Sequence, residues 1–383
     1  MKAVVCPQYG PPDVLQLKEV DKPAPQDNEV LIRIDVAIAG PADCAFRKGE
    51  PFIVKLFYGL RKPKFPIIGT ELAGEEVEQP TPGDGEVLIH IQAASVNSWD
   101  WDLVTGGPPL YRLLFGLRKP KHPIIGSDIA GRVAAVGRST RRFQPGDAVF
   151  GDISGSGFGA FAEYVSAAED VLALKPDSMT FAQAAAIPQA AFLALQGLRQ
   201  GQIQPGKKVL INGAGGGVGT FAVQMAHSFG ADVTAVDSPG KFDMLRSLGV
   251  DQVIDYTQTD FAQTGQQYDL ILDVVAARSI FAYRRALRPG GILVIVGGSI
   301  PTVLRVVTLG ALVSKTGDKK MGLLLYKPDP DDLDFIKALF ASGKVVPVID
   351  RCYPLSETAE ALRYFGTGQV RGKIVITVKD NVP

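Results

Sequence analysis

The pattern of hydrophobic and polar positions changes twice along the chain. Residues 1–170 hold many short apolar stretches separated by Pro and Gly, which predicts a barrel-like β domain. From 208 to about 327, strand-like apolar runs alternate with helical patterns, as in a doubly wound parallel sheet. The C-terminus alternates again, with predicted strands at Val345–Ile349 and Lys373–Val378. The pattern therefore predicts an α/β protein whose last strands return to the β domain.

A glycine-rich turn stands between a strand and a helix in the second region. The apolar strand Lys208–Asn212 precedes it, and apolar residues at helical spacing follow it over Phe221–Phe229. Glycines let the backbone approach a pyrophosphate, and the free amides of a helix start point at it. The pattern departs from the strict G-x-G-x-x-G spacing. It still predicts a dinucleotide site, against the alternative of a turn that binds nothing, with these residues as contacts: Gly213, Gly216, Gly217, Val218 and Gly219.

Residues 21–77 repeat as residues 78–134 without a gap, and 25 of the 57 aligned positions are identical. Two copies are too few for a solenoid, which needs at least three stacked units. The copies differ where a site is expected, because Asn97 of copy 2 is replaced by Gly40 in copy 1. Copy 2 also runs directly into the next predicted strands. We therefore expect copy 2 to supply the working site.

Bulk composition excludes several classes of function. The formal net charge is +0, with no basic domain or tail, so no nucleic-acid partner is expected. The three cysteines lie far apart, which fits neither a disulfide framework nor a Cys-x-x-Cys site. The apolar stretch 301–313 is too short for a membrane span and contains Arg305. The chain opens on an apolar strand without a targeting segment, so a cytoplasmic protein that binds no membrane is expected.

Several motifs, in order, resemble one enzyme family. They are Tyr9–Leu15, Ser95–Ser98 with Asp100, Gly126–Gly131, Pro145–Gly151, Gly159–Val165, Ala184–Pro188, the glycine turn, and Tyr353–Glu357 through Arg371–Val375. Together they resemble the zinc-independent quinone oxidoreductase (zeta-crystallin-like) branch of the medium-chain dehydrogenase/reductase superfamily. The resemblance covers essentially the whole chain apart from one copy of the repeat. The duplication departs from the family pattern.

This resemblance implies a fold, a cofactor and a domain order. The implied order is a GroES-like β-barrel catalytic domain at 1–180, a Rossmann domain at 181–327, and a return to the catalytic domain at 328–383. It also implies a nicotinamide cofactor in the cleft between them, and a homodimer.

The resemblance also bears on zinc. Zinc-dependent relatives place a Cys near Asn97, a His-Glu pair near Ser127-Asp128, and another Cys just after Pro188, and none of those Cys or His ligands is present. A catalytic zinc usually has three protein ligands. His90, His122 and His227 share no ligand spacing. We therefore predict no metal.

Without a Lewis acid, the chemistry that remains is hydride transfer from a reduced nicotinamide to a quinone or an α,β-unsaturated carbonyl compound. By family position, Asn97 is expected to donate to the acceptor oxygen, and Asp100 to orient Asn97 or the nicotinamide ribose. The alternative for Asp100 is that it only caps the following turn. Three aromatic residues are candidates for the acceptor pocket, with core packing as the alternative for each: Trp99, Trp101 and Tyr111.

The choice between NADP(H) and NAD(H) rests on opposing residues. Asp237 ends the second predicted strand, where it would repel a 2′-phosphate and accept from a ribose hydroxyl. Ser238, Lys241 and Tyr256 stand where NADP-using relatives hold that phosphate, so family grounds favour NADP(H), with NAD(H) as the alternative. Contacts to the nicotinamide side are expected from three further residues: Gly297, Gly298 and Lys373.

The predicted function is therefore a zinc-independent NAD(P)H oxidoreductase acting on quinones or enones. Two alternatives stay open from the sequence. One is an NAD(P)-dependent alcohol dehydrogenase, which the missing ligands disfavour. The other is a cofactor-binding protein with little catalysis, because an extra 57 residues could block the cleft.

Overall fold

The computed structural model describes residues 2–5, 16–19, 37–38, 71–72, 79–105, 124–327 and 329–378. The chain divides into two compact units, Met1–Glu78 and Gln79–Pro383. Tyr111 and His122 lie outside the described residues.

The strands run along the chain as follows: β1 Lys2–Val5, β2 Gln16–Glu19, β3 Ala37–Ile38, β4 Glu71–Leu72, β5 Glu86–Ser95, β6 Asp128–Val136, β7 Ala148–Asp152, β8 Tyr164–Ala168, β9 Leu172–Leu174, β10 Lys208–Asn212, β11 Asp232–Asp237, β12 Gln252–Asp255, β13 Tyr268–Asp273, β14 Leu287–Ile295, β15 Lys320–Leu323, β16 Ile349–Pro354 and β17 Lys373–Thr377. In the first unit, β1 pairs antiparallel with β2, and β3 with β4.

The helices of the second unit are α1 Ser98–Thr105, α2 Phe181–Ala185, α3 Pro188–Gln200, α4 Gly217–Ser228, α5 Phe242–Ser247, α6 Ile280–Ala286, α7 Ile300–Arg305, α8 Ala311–Thr316, α9 Pro330–Ala341 and α10 Thr358–Gly366. A π-helical turn, Val306–Gly310, joins α7 to α8, and short 3-10 turns lie at Ser154–Ser156, Glu169–Val171, Pro239–Lys241, Phe261–Gln263 and Leu355–Glu357. Among the described helices, none has the length and apolar character needed to cross a bilayer.

One sheet of the second unit combines copy 2 of the repeat with the end of the chain. Its order is β16-β17-β5-β6-β7-β9, with β8 paired to β5. All pairs are antiparallel except β16 with β17. Strands β5 and β6 belong to copy 2, so copy 2 is the copy that lies in this sheet.

The repeat is visible in strand register as well as in sequence. In copy 1, Ala37 pairs with Leu72 and Ile38 with Glu71. In copy 2, the residues 57 positions later make the same pairs, Ala94 with Ile129 and Ser95 with Asp128. The short strand pair of the first unit therefore has the register of the corresponding part of β5 and β6.

The other sheet is parallel, with the order β12-β11-β10-β13-β14-β15. Strand order reverses between β10 and β13, so a crevice opens outside the carboxyl ends of these two strands. Five of the six residues of β13 are buried, and four of these have no exposed surface, as expected of a strand covered on both faces. The fold predicted from the periodicity is confirmed here.

The predicted strand Val345–Ile349 was wrong, because the strand begins at Ile349 and runs to Pro354. Pro347 lacks an N–H and cannot donate to a ladder. Val345 is instead buried in the core that covers the parallel sheet. That core also takes in Ala130 and Phe150 from β6 and β7, so the two sheets share apolar packing.

Candidate active site

The glycine-rich turn leaves β10 and enters α4 at the carboxyl edge of the parallel sheet. Gly213 has φ +80°, a conformation that L side chains rarely adopt. A Cβ at Gly219 would lie 2.2 Å from the carbonyl oxygen of Gly213, so only glycine lets α4 pack this closely on the turn. Gly216 precedes the helix, and Gly217 and Val218 are its first two residues. Their backbone N–H groups therefore stand at the start of the helix, where an anion binds.

Asp237 and its neighbours lie beside this turn. One carboxylate oxygen, Oδ2, accepts from the N–H of Gly215 at 2.7 Å, and the other, Oδ1, accepts from the N–H of Ser238 at 2.8 Å. The ammonium of Lys241 lies 3.4 Å from Oδ1, and both side chains are at most 10% exposed. Tyr256 follows the neighbouring strand, donates its N–H to the carbonyl of Asp237, and leaves its side chain exposed. The four predicted residues are thus brought together.

Gly297 and Gly298 follow β14 at the same edge of the sheet. Gly298 forms a bridge with Ala276, and a Cβ there would lie 2.3 Å from the carbonyl oxygen of Ala276. The residue after β13 that faces the glycine turn is Val275, whose methyl groups would lie 3.2 Å from a Cβ at Gly213. The carboxyl ends of β10, β13 and β14 therefore lie side by side, and the residues that follow them contact one another.

Lys373 connects this edge to copy 2. Its stem passes Gly217, because a Cβ built there would lie 2.9 Å from Lys373 Cδ. Its ammonium donates to Asn97 Oδ1 and, at 3.1 Å, to the carbonyl of Val96. Asp128 Oδ2 lies 3.5 Å from the ammonium, and both side chains are essentially fully buried. Burial lowers the pKa of Lys373, and the coulombic influence of Asp128 and Asp100 opposes that shift.

Asn97 has its side-chain amide engaged on all sides. Its Nδ2 donates to Asp128 Oδ2 at 2.9 Å and to Ser127 Oγ at 3.2 Å, while its Oδ1 accepts from Lys373. Donation to an acceptor oxygen would therefore have to replace one of these bonds. The longer bond, to Ser127, is the one that costs least to exchange. The predicted role of Asn97 stays a prediction.

Asp100 holds the backbone around Asn97. Its carboxylate accepts from the N–H of Asn97 at 2.8 Å and from the N–H of Gly126 at 3.1 Å. Burial raises the pKa of Asp100 to about 7, although the bond from the Asn97 N–H favours the charged form. The contact to Asn97 lies at the start of α1, before Asp100 and not in the turn that follows it, and it fixes the position of Asn97. Its role toward a cofactor stays a prediction.

Two further buried acids lie on the sheet beside Asn97. Asp128 Oδ2 accepts from Ser95 Oγ at 3.1 Å, and Asp128 Oδ1 accepts from the N–H of Gln189 at 3.1 Å. Asp152 accepts from the N–H of Ser154 at 2.8 Å and from the hydroxyl of Tyr326. Burial raises the pKa of Asp128 to about 6, with Lys373 opposing the shift, and burial also raises the pKa of Asp152.

Gln189 carries the buried side-chain atom Nε2, for which the structure shows no hydrogen-bond partner. The residue is 2% exposed and stands directly after Pro188, at the start of α3. Burying an unpaired amide donor costs about 1–3 kcal/mol. Such a group at the edge of a site is a candidate donor for a ligand oxygen or for a trapped water.

The predicted aromatic pocket residues differ in their placement. Trp99 is half-buried, and its ring centroid lies 6.4 Å from that of Phe158. Trp101 packs into the core of the first sheet, against Gly366 of α10. The packing alternative therefore describes Trp101. A cavity of about 310 Å³ lies at the opposite, amino edge of the parallel sheet, far from the glycine turn.

The described residues contain no group of three or more His, Cys, Asp or Glu side chains that could hold a metal ion. In this chain, the residues at the positions where those relatives have zinc ligands lie beside the ammonium group of Lys373 or next to its ion-pair partner. Asn97 and Asp128 contact the Lys373 ammonium, and Gln189 contacts Asp128. These residues do not fit a zinc ion.

Sequence reasoning missed Asp152, Gln189 and Tyr326, and quoted Asp128 only within a motif. The available signal was an acid beside apolar runs, as in Asp128-Ile-Ala and Val149-Phe-Gly-Asp152. A carboxylate is rarely buried unless it is paired or hydrogen-bonded. Gln189 and Tyr326 carried no comparable signal.

Comparison with known proteins places this geometry in context. Residues 83–177 match the family described as alcohol dehydrogenase GroES-like domain, and residues 248–376 match the family described as zinc-binding dehydrogenase. The first match covers residues 83–134 of copy 2 and excludes copy 1.

Among relatives, the chain is 34% identical over 310 residues to the 2-methylene-furan-3-one reductase of Solanum lycopersicum, covering 78% of this chain and 74% of the relative. It is 32% identical over 308 residues to the NADPH-dependent alkenal/one oxidoreductase, chloroplastic, of Arabidopsis thaliana, covering 78% and 73%. The solved quinone oxidoreductase from Coxiella burnetii superposes with a TM-score of 0.72 at 27% identity, covering 99% of each chain.

Proposed function

This chain belongs to the medium-chain dehydrogenase/reductase superfamily, and we propose that it reduces quinones or α,β-unsaturated carbonyl compounds with NADPH and without zinc. It is an NAD(P)H oxidoreductase of the quinone and enone class, as its relatives are. The preference for NADPH, the independence from zinc and the roles of individual residues are the proposal. A cytoplasmic location and a homodimer stay predictions from the sequence.

The observation that carries the proposal is the position of Lys373. Its ammonium lies against Asn97 and 3.5 Å from Asp128, and its stem lies against the glycine turn. The site therefore contains its own positive charge between the cofactor edge and Asn97. A fixed cation in a buried site stabilises negative charge that develops on a reacting oxygen. This supports electrostatic catalysis by the protein where a metal-dependent relative would use a Lewis acid.

The glycine turn and the Asp237 neighbourhood support the cofactor assignment. The N–H groups from Gly217 onward would hold the pyrophosphate. Both oxygens of Asp237 already accept hydrogen bonds from Gly215 and Ser238, and its charge is paired with Lys241. Pairing weakens the repulsion that an acidic residue exerts on a 2′-phosphate. Lys241 could then serve that phosphate as a point charge.

A bound nicotinamide supplies the hydride. The chain's residues then have two tasks. Lys373 stabilises the negative charge that the acceptor gains, and Asn97, fixed by Asp128 and Asp100, orients the acceptor oxygen. The apolar core shared by the two sheets keeps water away from the acids behind Asn97.

The test is oxidation of NADPH and of NADH by the purified full chain after metal chelation, with 1,4-benzoquinone and a simple enone as acceptors. We expect turnover to survive chelation and NADPH to be preferred. Asn97→Gly gives copy 2 the glycine that copy 1 has at the corresponding position, Gly40. This variant should lower kcat at least tenfold. Turnover that needs stoichiometric zinc would refute the zinc-free proposal, and oxidation of simple alcohols alone would favour an alcohol dehydrogenase. Cofactor binding with no turnover would favour the non-catalytic alternative.

A further inference from the structure

Three polar residues lie in one row across the sheet that contains β5, β6 and β7. Asp128 of β6 is the direct cross-strand partner of Ser95 on β5 and of Asp152 on β7. Direct partners point to the same face of a sheet, with Cβ atoms about 4.5–5.5 Å apart. The two carboxyl groups are therefore neighbours, and both residues are at most 1% exposed.

The charges around this pair do not balance when both acids are ionised. Lys373 forms an ion pair with Asp128, and no described residue forms one with Asp152. Asp100, itself buried, adds a further acid that acts on Asp128 through its charge, and Tyr326 contributes only a hydroxyl. Two buried carboxylates this close resist being ionised together against one ammonium, so the pair holds a proton to a higher pH than ordinary carboxyl groups do. Burial raises the pKa of both acids, in agreement with this count.

The pair has an inner and an outer contact. On the inner side, Asp128 accepts from Asn97 and faces the Lys373 ammonium. On the outer side, the hydroxyl of Tyr326 donates to Asp152 Oδ2. Tyr326 is half-buried and lies between the exposed residues Leu325 and Lys327. A line of polar groups thus runs from the protein surface to Asn97.

We propose that Asp128 and Asp152 form a proton store that supplies the proton needed by the reduced acceptor through Lys373, and that refills from solvent through Tyr326. The inference rests on the proposed reductase function. Hydride adds to the β-carbon of an enone, and the electron pair of the double bond moves to give an enolate. A proton leaves Lys373 Nζ for the enolate, the carboxyl pair returns a proton to Lys373, and water returns one to the pair. One reduced cofactor and one proton are consumed for each enone reduced.

The proposal separates two events in time, and a single turnover can resolve them. Full-length protein loaded with one equivalent of NADPH is mixed with enone in weak buffer at about pH 5, below the pKa of about 6 of Asp128, so that the pair holds its proton. Absorbance of NADPH reports hydride transfer, and an indicator dye reports proton uptake from the bulk. We expect proton uptake to lag behind NADPH oxidation, and the lag to vanish above about pH 8, where the store is empty.

Three variants sharpen the result. Asp152→Asn removes the store but keeps the side-chain shape, and should abolish the lag. Tyr326→Phe should lengthen the lag, because the store refills from solvent through its hydroxyl. Asp332→Asn is the matched control, because Asp332 is a buried acid, 5% exposed, bonded to Arg199 outside this row. It should behave as the unmodified protein does.

Proton uptake that keeps pace with NADPH oxidation in the unmodified protein at about pH 5, below the pKa of Asp128, overturns the proposal, as does a lag that persists in Asp152→Asn. Absence of NADPH oxidation with every acceptor is a different result. It refutes the reductase function, and the proposed proton store is then refuted as well.

Discussion

Replacing Lys373 with Met tests whether the cation of the site is bound to its acids as the structure shows. Methionine keeps an unbranched stem against Gly217 and removes the ammonium that lies 3.5 Å from Asp128 Oδ2. Asp128 is then a buried acid without its cation. Removing one partner of a buried ion pair costs about 3–5 kcal/mol when the other stays charged. The loss should therefore depend on whether Asp128 is ionised.

The pH dependence follows from the direction of the pKa shift. Burial already raises the pKa of Asp128 to about 6, and Lys373 opposes that rise, so its loss raises the pKa further. A carboxyl whose pKa is raised in the folded state makes folding less favourable as pH rises toward that pKa. Below about pH 6 the acid is protonated with or without Lys373. Above it, each pH unit adds a loss of about 1.4 kcal/mol, up to the new pKa.

We therefore expect the free energy of unfolding of Lys373→Met to lie within about 1 kcal/mol of that of the unmodified protein at pH 5. At pH 8 it should be lower by about 3 kcal/mol. Urea unfolding of the cofactor-free protein, followed by tryptophan fluorescence, measures both values. The double variant Asp128→Asn with Lys373→Met should regain most of the loss at pH 8. Lys337→Met removes an exposed ion pair with Asp334 and should cost no more than about 0.5 kcal/mol. An equal loss at both pH values, or no rescue by Asp128→Asn, would refute the reasoning.

Three further outcomes follow. Lys241→Met should raise the KM for NADPH about tenfold and leave that for NADH unchanged in steady-state assays, and an equal rise for both would remove Lys241 from the phosphate site. Deleting residues 21–77 should leave a folded chain that still oxidises NADPH with an acceptor, because copy 2 lies in the sheet; a chain that does not fold would show that copy 1 is needed. Gln189→Met should raise the melting temperature of the cofactor-free protein, since an unpaired buried amide is removed; a lower one would mean that Nε2 has a partner such as water.

The parallel sheet was the part of the fold that sequence predicted best. The strand β10 has the predicted bounds, because buried parallel strands are short apolar runs between turn residues. The error at Val345–Ile349 has the opposite origin. Alternation alone cannot distinguish a strand from an extended segment whose Val345 enters a core and whose Pro347 cannot pair.

The residues at the glycine-turn edge of the parallel sheet could be singled out from the sequence, whereas the acids behind Asn97 could not, and the role of that edge in cofactor binding stays a prediction. Glycine spacing and the end of β11 are local features, so Gly213, Gly219 and Asp237 were found from nearby sequence. The row of Ser95, Asp128 and Asp152 depends on the registers of two strand pairs. Register is set by which face each strand buries and by the connections between strands, and a one-residue slip would move Asp152 to the other face.

Lys373 shows the limit most clearly, because its sequence position suggested only one of its two contacts. It begins β17, which pairs with β5, and this pairing brings a residue near the end of the chain beside Asn97. The preceding Gly372 donates its N–H to the carbonyl of Gly215 at 2.9 Å, so the same backbone segment also lies against the glycine turn. A lysine placed in this way contacts the glycine turn with its stem and the acids with its ammonium group. Binding of the cofactor and the ionisation of Asp128 should therefore influence each other through a single side chain.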